Sequence, residues 1–302
     1  MTGAEETASL GGKKSVWIHA EAPSEHEIKQ LCSQYRLRER LVRDALDQDE
    51  IPRVEAHDEY TYIITRFAYQ KQSDDIETAP ILFALNHEKL ITVSLEKLPS
   101  LQDILADESD RSADHDPTHI LLLILLKIDA DYDRFIHDSS KQIRRLLERL
   151  GRSDVGPRSF IRFVHIEDDM NDFLGSLIPT NNALKHLVND KSVPGFATHH
   201  DLVDTVILNN DQSIQTCETN LKSLTSIRRT YTVINGYNLD RTIKILTLAS
   251  VFIAIPTMFF SMYGMNIGLP QQHHRGAFAA LMALCIVTVL TAFVIGRKKR
   301  IF

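Results

Sequence analysis

The rhythm of hydrophobic and polar positions changes twice along this chain. In the first third, "SVWIHA" at 15–20 predicts a strand, and Ser24 with Glu27 has the spacing of a capping box that opens a helix to about Tyr35. "RERLVRDALD" continues helical. "YTYIITRFAY" at 60–69 alternates and is rich in β-branched and aromatic residues, so it predicts a strand. "PILFALNHEKLITVSL" predicts two more, joined by a turn near Asn86 and His87. From Pro117 the period becomes helical. One helix is predicted over 117–150, broken at "GRSDVGP", and a second over about 158–191, ending before "SVPG". The run "ILLLILLKI" at 120–128 is too short to cross a bilayer and predicts a buried helical segment.

Beyond "HHDLVD" no proline occurs until Pro256. Ile207, Ile214, Cys217, Leu221, Leu224 and Tyr231 follow a heptad-like spacing, so 200–262 is expected to be one helix. At about 1.5 Å per residue it makes a rod on the order of 90 Å. A rod with one such seam is expected to pack against copies of itself. Its last part, 242–262, is almost continuously apolar, and 277–295 is a second apolar run without charge. Each is long enough for the roughly 30 Å hydrocarbon layer.

Charge then orients the chain. Of the 34 Lys and Arg, seven lie from Arg241 onward, where no Asp or Glu occurs; all 40 acids fall in residues 1–240. An acidic body joined to a basic, apolar tail excludes a nucleic-acid partner and raises the local concentration of cations. "RKKR" at 297–300 and Arg228, Arg229, Arg241 and Lys244 flank the two runs on one side, whereas the loop between them holds only Arg275. Both termini are therefore expected in the cytoplasm, with the loop outside the cell (inner) membrane. The organisation expected is a disordered lead (1–14), a cytoplasmic α/β domain (15–116), cytoplasmic helices (117–199), a stalk helix (200–241), a first span (242–262), an external loop (263–276), a second span (277–295) and a basic tail (296–302). The lead has no apolar core and is no signal peptide. Cys32, Cys217 and Cys285 form no CxxC pair, which fits a reducing compartment. No P-loop or GxGxxG points to a nucleotide, and residues 1–240 hold no nucleophile–base or metal-ligand constellation, so no enzyme is expected. "HIEDD" at 165–169 is expected to be a solvated helix face.

Small and polar side chains recur on the first span at Thr247, Ser250, Ala254, Thr257 and Ser261, with Asp240 and Ile243 extending the stripe toward the cytoplasm. Two readings fit. Small residues let membrane helices approach closely. Alternatively, the hydroxyls and a carboxylate ring line a pore and hold the water around a passing ion, which suits Mg²⁺ because it parts reluctantly with its hydration shell. A pore requires an oligomer.

Immediately after this span stands "YGMN", Tyr263 to Asn266, with Pro256 and Thr257 ten and nine residues before Asn266. In that place, between two C-terminal spans and before a basic tail, Gly-Met-Asn resembles the CorA family of Mg²⁺/Co²⁺ channels. The order of elements matches along essentially the whole chain; residues 240–266 match at motif level. The resemblance implies a membrane protein with an N-terminal cytoplasmic α/β domain, a stalk helix continuous with the first span, a second C-terminal span and a homopentameric funnel. Gly264, Met265 and Asn266 would form the outer selectivity mouth, and Thr257 a polar ring. Ile243 and Leu246 would be an apolar constriction, and Asp240 the inner mouth, where a carboxylate makes the ring more attractive to cations. Asp201 and Asp204 resemble acids that bind regulatory Mg²⁺ between subunits.

The implied function is influx of Mg²⁺, with Co²⁺ or Ni²⁺ as further ions, closed by internal Mg²⁺. Its partners would be copies of itself, membrane lipid and divalent cations. One departure is the acid-free loop "IGLPQQHHRG", whose His273 and His274 are either solvated or metal ligands of the kind that Zn²⁺ or Ni²⁺ prefers. The alternatives are a Zn²⁺ transporter on the same scaffold, or a membrane-anchored cytoplasmic sensor without transport.

Overall fold

A computed structural model describes residues 8–9, 16–71, 75–98, 116–150, 157–189, 195–265, 268 and 276–298. The chain divides into two units, Met1–Ser226 and Ile227–Phe302.

The first unit is built on a six-stranded sheet. In chain order its strands are β1 (Ala8–Ser9), β2 (Val16–Glu21), β3 (Arg53–His57), β4 (Tyr60–Gln70), β5 (Ile76–Leu85) and β6 (Lys89–Ser94). They lie in the order β1-β2-β6-β5-β4-β3, and only the β2–β6 pair is parallel. The lead expected to be disordered thus contributes a strand: Ala8 and Ser9 pair with Trp17 and Val16, along the edge of β2 that β6 leaves open. The turn at Asn86 is formed as expected, its side-chain oxygen accepting the N–H groups of Glu88 and Lys89 at 2.9 and 2.7 Å. Pro80, which has no N–H to give, falls where β6 has already ended and β5 needs a ladder partner on one side only.

One sheet face is covered by α1 (Glu25–Tyr35) and α2 (Glu39–Asp44). The capping box is present: the Glu27 N–H reaches the Ser24 hydroxyl at 3.4 Å, and the Glu27 carboxylate accepts the Ser24 N–H at 2.7 Å. α1 ends at Tyr35 as expected, because Arg36 turns left-handed at φ 57°, and the helical "RERLVRDALD" resumes as the shorter α2. Ile28, Leu31, Leu41 and Val42 from these helices meet Ile18, Tyr62, Ile64, Leu82 and Ile91 of the sheet in one apolar cluster.

Two long helices, α3 (Pro117–Leu150) and α4 (Pro157–Asn189), pack on the sheet as well. The "ILLLILLKI" segment is buried in α3, as its length predicts. Polar contacts tie these helices to the strands: the Thr65 and Thr180 hydroxyls lie 2.8 Å apart, and the Tyr132 hydroxyl donates to the Arg66 carbonyl at 3.3 Å. The "HIEDD" face is not wholly solvated. Asp169 is half-buried, and desolvation with the nearby Asp172 pushes its pKa up to about 6.

Helix α5 (His200–Tyr263) has 64 residues and runs from the first unit into the second without interruption. In the first unit its buried positions are Val203, Val206, Asn210, Ser213, Cys217, Asn220 and Leu224. They alternate in steps of three and four, so the heptad rhythm is real. Cys217 and Leu224 are buried as expected, whereas the expected Ile207, Ile214 and Leu221 are half-covered, each one position beyond a buried residue. The seam serves the chain's own body rather than only copies of itself. Asn220 donates to the Ser140 hydroxyl of α3 at 2.8 Å, and Asp211 accepts from Asn181 and Lys185 of α4 at 2.5 and 3.0 Å. Burial along this seam pushes the Cys217 thiol up to about 12. The second unit contains the rest of α5 and α6 (Ala277–Lys298).

Candidate pore-lining helix

The outer part of α5 is long and apolar enough to cross a membrane, and none of its apolar window is buried within one chain. Helix α6 offers the shorter apolar stretch Phe278–Val294. Between Ile243 and Ser261, the half-covered residues of α5 are Leu248, Phe252, Ile255, Pro256 and Phe259. The Phe252 ring meets that of Phe293 on α6 at 6.4 Å, and Leu281 and Cys285 of α6 are buried. At about 100° per residue, the covered set of α5 occupies one side of the helix.

The stripe takes the other side. Ile243, Thr247, Ser250, Ala254, Thr257 and Ser261 are all exposed, and their mean direction lies roughly opposite that of the covered residues. Their small size therefore does not serve the approach of α6. Two hydroxyls are held back along the helix, Ser250 donating to the Leu246 carbonyl at 3.0 Å and Thr257 to the Ile253 carbonyl at 2.7 Å. With their hydrogens so engaged, their oxygens keep lone pairs that can accept a further hydrogen bond. Ile243 and Leu246, 53% and 67% exposed, stand one turn inside this polar stretch.

Asp240 ends the stripe on the inner side, and its carboxylate lies 2.8 Å from the Lys244 ammonium. The acid is thus accompanied by its own counter-charge. That pair was visible in the sequence as an acid four residues ahead of a lysine on one helix. Pro256 cannot donate to the carbonyl one turn before it, which loosens the helix ladder in mid-span.

The helix closes at the motif. The Gly264 N–H is shared between the Phe260 and Ser261 carbonyls at 3.0 and 3.2 Å, and that of Met265 reaches Met262 at 3.4 Å. Met265 is exposed. Asn266, His273 and His274 lie outside the described residues. Asp201 and Asp204 are both exposed in the first turns of α5, Asp201 with an imidazole nitrogen of His200 at 3.2 Å. Among the described residues no group of three His, Cys, Asp or Glu side chains is placed to hold a metal ion.

Comparison with known proteins decides what this helix belongs to. Residues 12–299 match the family described as CorA-like Mg2+ transporter protein. The chain belongs to the CorA family. It is thus a member of a transporter family rather than of an enzyme family. Among CorA relatives, the cobalt/magnesium transport protein CorA of Methanocaldococcus jannaschii is 24% identical over 291 residues, covering 94% of this chain and 90% of the relative. The magnesium transport protein CorA of Wolinella succinogenes is 21% identical over 300 residues, with the same coverage of 94% and 90%. The complete structure of the CorA magnesium transporter from M. jannaschii superposes with a TM-score of 0.84 at 22% identity, covering 96% of this chain and 92% of that one. A sheet domain, a long helix leaving it and a C-terminal helix are therefore the CorA fold in this chain.

Proposed function

We propose that copies of this chain form a channel that conducts Mg²⁺, and also Co²⁺ or Ni²⁺, into the cell. The observation that carries this reading is the position of the polar stripe on the side of α5 away from α6. A hairpin that merely anchored a cytoplasmic sensor gains nothing from a row of hydroxyls on its lipid side, whose remaining lone pairs would find no donor there. Facing one another across an axis in a homopentamer, the same hydroxyls line water.

The outer part of α5 and α6 are then two spans with both termini in the cytoplasm. Gly264 and Asn266 form the outer mouth through carbonyl and amide oxygens, which hold a hydrated ion without a charge strong enough to trap it. Thr257, Ala254, Ser250 and Thr247 follow inward, and Ile243 and Leu246 form an apolar constriction that gates by dewetting. Mg²⁺ keeps its water, so uncharged oxygen acceptors suit it better than a close-fitting cage. An inside-negative potential draws a divalent ion inward by about 4.6 kcal/mol per 100 mV, twice the single-charge value. Internal Mg²⁺ bridging Asp201 and Asp204 to a neighbouring subunit closes the pore, and its loss lets like charges separate.

Proteoliposomes holding a Mg²⁺-sensitive dye test this reading. Uptake should grow with an imposed inside-negative potential, persist without a proton gradient and collapse in Asn266→Ala. Absence of uptake, or uptake that requires a proton gradient, would contradict it.

A further inference from the structure

Asn220, buried on α5, marks one layer of the body that α3, α4 and α5 form together. Its Nδ2 donates to the Ser140 hydroxyl of α3 at 2.8 Å and to the Met170 sulfur of α4 at 3.8 Å. Helices α3 and α5 run parallel, since Asp116 just before α3 meets His199 just before α5, and Ser140 meets Asn220. α4 runs the opposite way, since Met170 meets Asn220 whereas Asn181 meets Asp211. An α-helix returns to nearly the same direction after three turns, about 11 residues and 16 Å. Three turns before Ser140 stands Asp129, and three turns after Met170 stands Asn181. Both therefore face α5 in a second layer, where the buried seam residue of α5 is Asn210.

This layer holds polar atoms that the fold leaves without a partner. Asn210 is 1% exposed, Asn181 3% and Asp129 6%. Among the described residues, nothing hydrogen-bonds Oδ2 of Asp129, Oδ1 of Asn181, or either Oδ1 or Nδ2 of Asn210. Buried polar atoms left so are costly, and a native interior supplies them with partners. Neighbouring acids are satisfied: Asp131 pairs with Arg134 at 3.1 Å, and Asp211 with Lys185 at 3.0 Å. Asp129 meets no such cation among the described residues. Burial raises its pKa well above the ordinary carboxylate value.

We propose that Asp129, Asn181 and Asn210 bind one monovalent alkali cation, Na⁺ or K⁺, between α3, α4 and α5. One carboxylate and two amides offer oxygen donors, which do not suit metals that prefer nitrogen or sulfur. Charge selects among the rest. A single positive charge leaves the layer neutral, whereas a divalent ion leaves an uncompensated charge in the interior, where it is costly. Mg²⁺ in particular gives up its water reluctantly. The alkali ion takes the place of the proton that burial would otherwise keep on Asp129, and it ties the three helices together. The site does not depend on the channel reading.

The probe is the alkali cation itself. Full-length protein in detergent, with Mg²⁺ in excess throughout, is unfolded by heat in NaCl, KCl and tetramethylammonium chloride at one ionic strength. Na⁺ or K⁺ should raise Tm saturably, by roughly 2–4 °C once the ion stands about fivefold above its Kd, and the bulky tetramethylammonium should not. The rise should vanish in Asp129→Asn, which keeps the shape of the side chain without its charge. Should Asp129→Asn fail to fold, Asn210→Ala removes one ligand oxygen and must move the response to higher ion concentration. Equal Tm in the three salts, the behaviour of a protonated Asp129 bonded to ordered water, would overturn the site. So would an alkali response that these variants leave unchanged. Ion flux enters none of these measurements, so their failure leaves the channel reading untouched.

Discussion

The Lys244 ammonium sits 2.8 Å from the Asp240 carboxylate, one turn along the same helix. An inner ring of Asp240 alone would concentrate cations strongly, whereas the pair cancels most of that field at a distance. Lys244→Met should therefore lower the Mg²⁺ concentration for half-maximal flux by roughly tenfold. Adding Asp240→Asn to it should restore the wild-type value. Flux measured against Mg²⁺ concentration checks this; an unchanged midpoint in Lys244→Met would show that Asp240 does not face the ion path.

Asp201 and Asp204 project from the first turns of α5 into solvent, Asp201 with 92% of its side chain accessible. Among the described residues only His200 approaches Asp201, and two carboxylates so placed suit a hydrated Mg²⁺ shared with a neighbour. Asp201→Ala/Asp204→Ala should keep conducting at internal Mg²⁺ levels that close the wild type, with no change in the flux measured at low internal Mg²⁺. Unaltered inhibition would remove both residues from regulation.

His19 is half-buried on β2, its Nδ1 2.8 Å from the Thr92 hydroxyl and its buried Nε2 without a partner among the described residues. Burial pushes its pKa down to about 4. An unfolded histidine binds its proton below about 6.5, so between pH ~4 and ~6.5 the unfolded chain holds more protons and stability rises with pH. The whole term is at most about 3 kcal/mol. Unfolding followed by the fluorescence of Trp17, the chain's one tryptophan, reads it directly, because the two rings lie 6.4 Å apart. His19→Leu should show a shallower rise through that window than the wild type. Equal slopes would place the pH dependence elsewhere.

Much of this architecture is legible in the chain because its signals are local. The capping box at Ser24, the alternation of β4 and the proline-free run to Pro256 each dictate structure within a few residues. Strand β3 leaves little signal, since "RVEAH" alternates over only five residues with two small apolar side chains and is held by its pairing with β4 after a turn at Asp58, φ 53°. On the α5 seam Cys217 and Leu224 are buried as expected, but Ile207, Ile214 and Leu221 are one residue off, because Ser213 and Asn220 occupy buried positions that a count of apolar residues skips. At the site, the stripe was readable from its spacing, but which side of α5 it takes relative to α6 depends on the pairing of two helices. The approach of Asn181 to Asp211 joins residues 30 positions apart on two helices and leaves no periodic trace.

The central claim is that one side of α5 lines the ion path while the opposite side packs on α6. Thiol accessibility measures this most directly, in proteoliposomes of a variant whose native Cys285 has been replaced by serine. Mg²⁺ flux through Ser250→Cys, Ala254→Cys and Ser261→Cys should be blocked by a water-soluble thiol reagent, and flux through Leu248→Cys, Ile255→Cys and Phe259→Cys should not. Block confined to the second set, or in neither, would contradict the account.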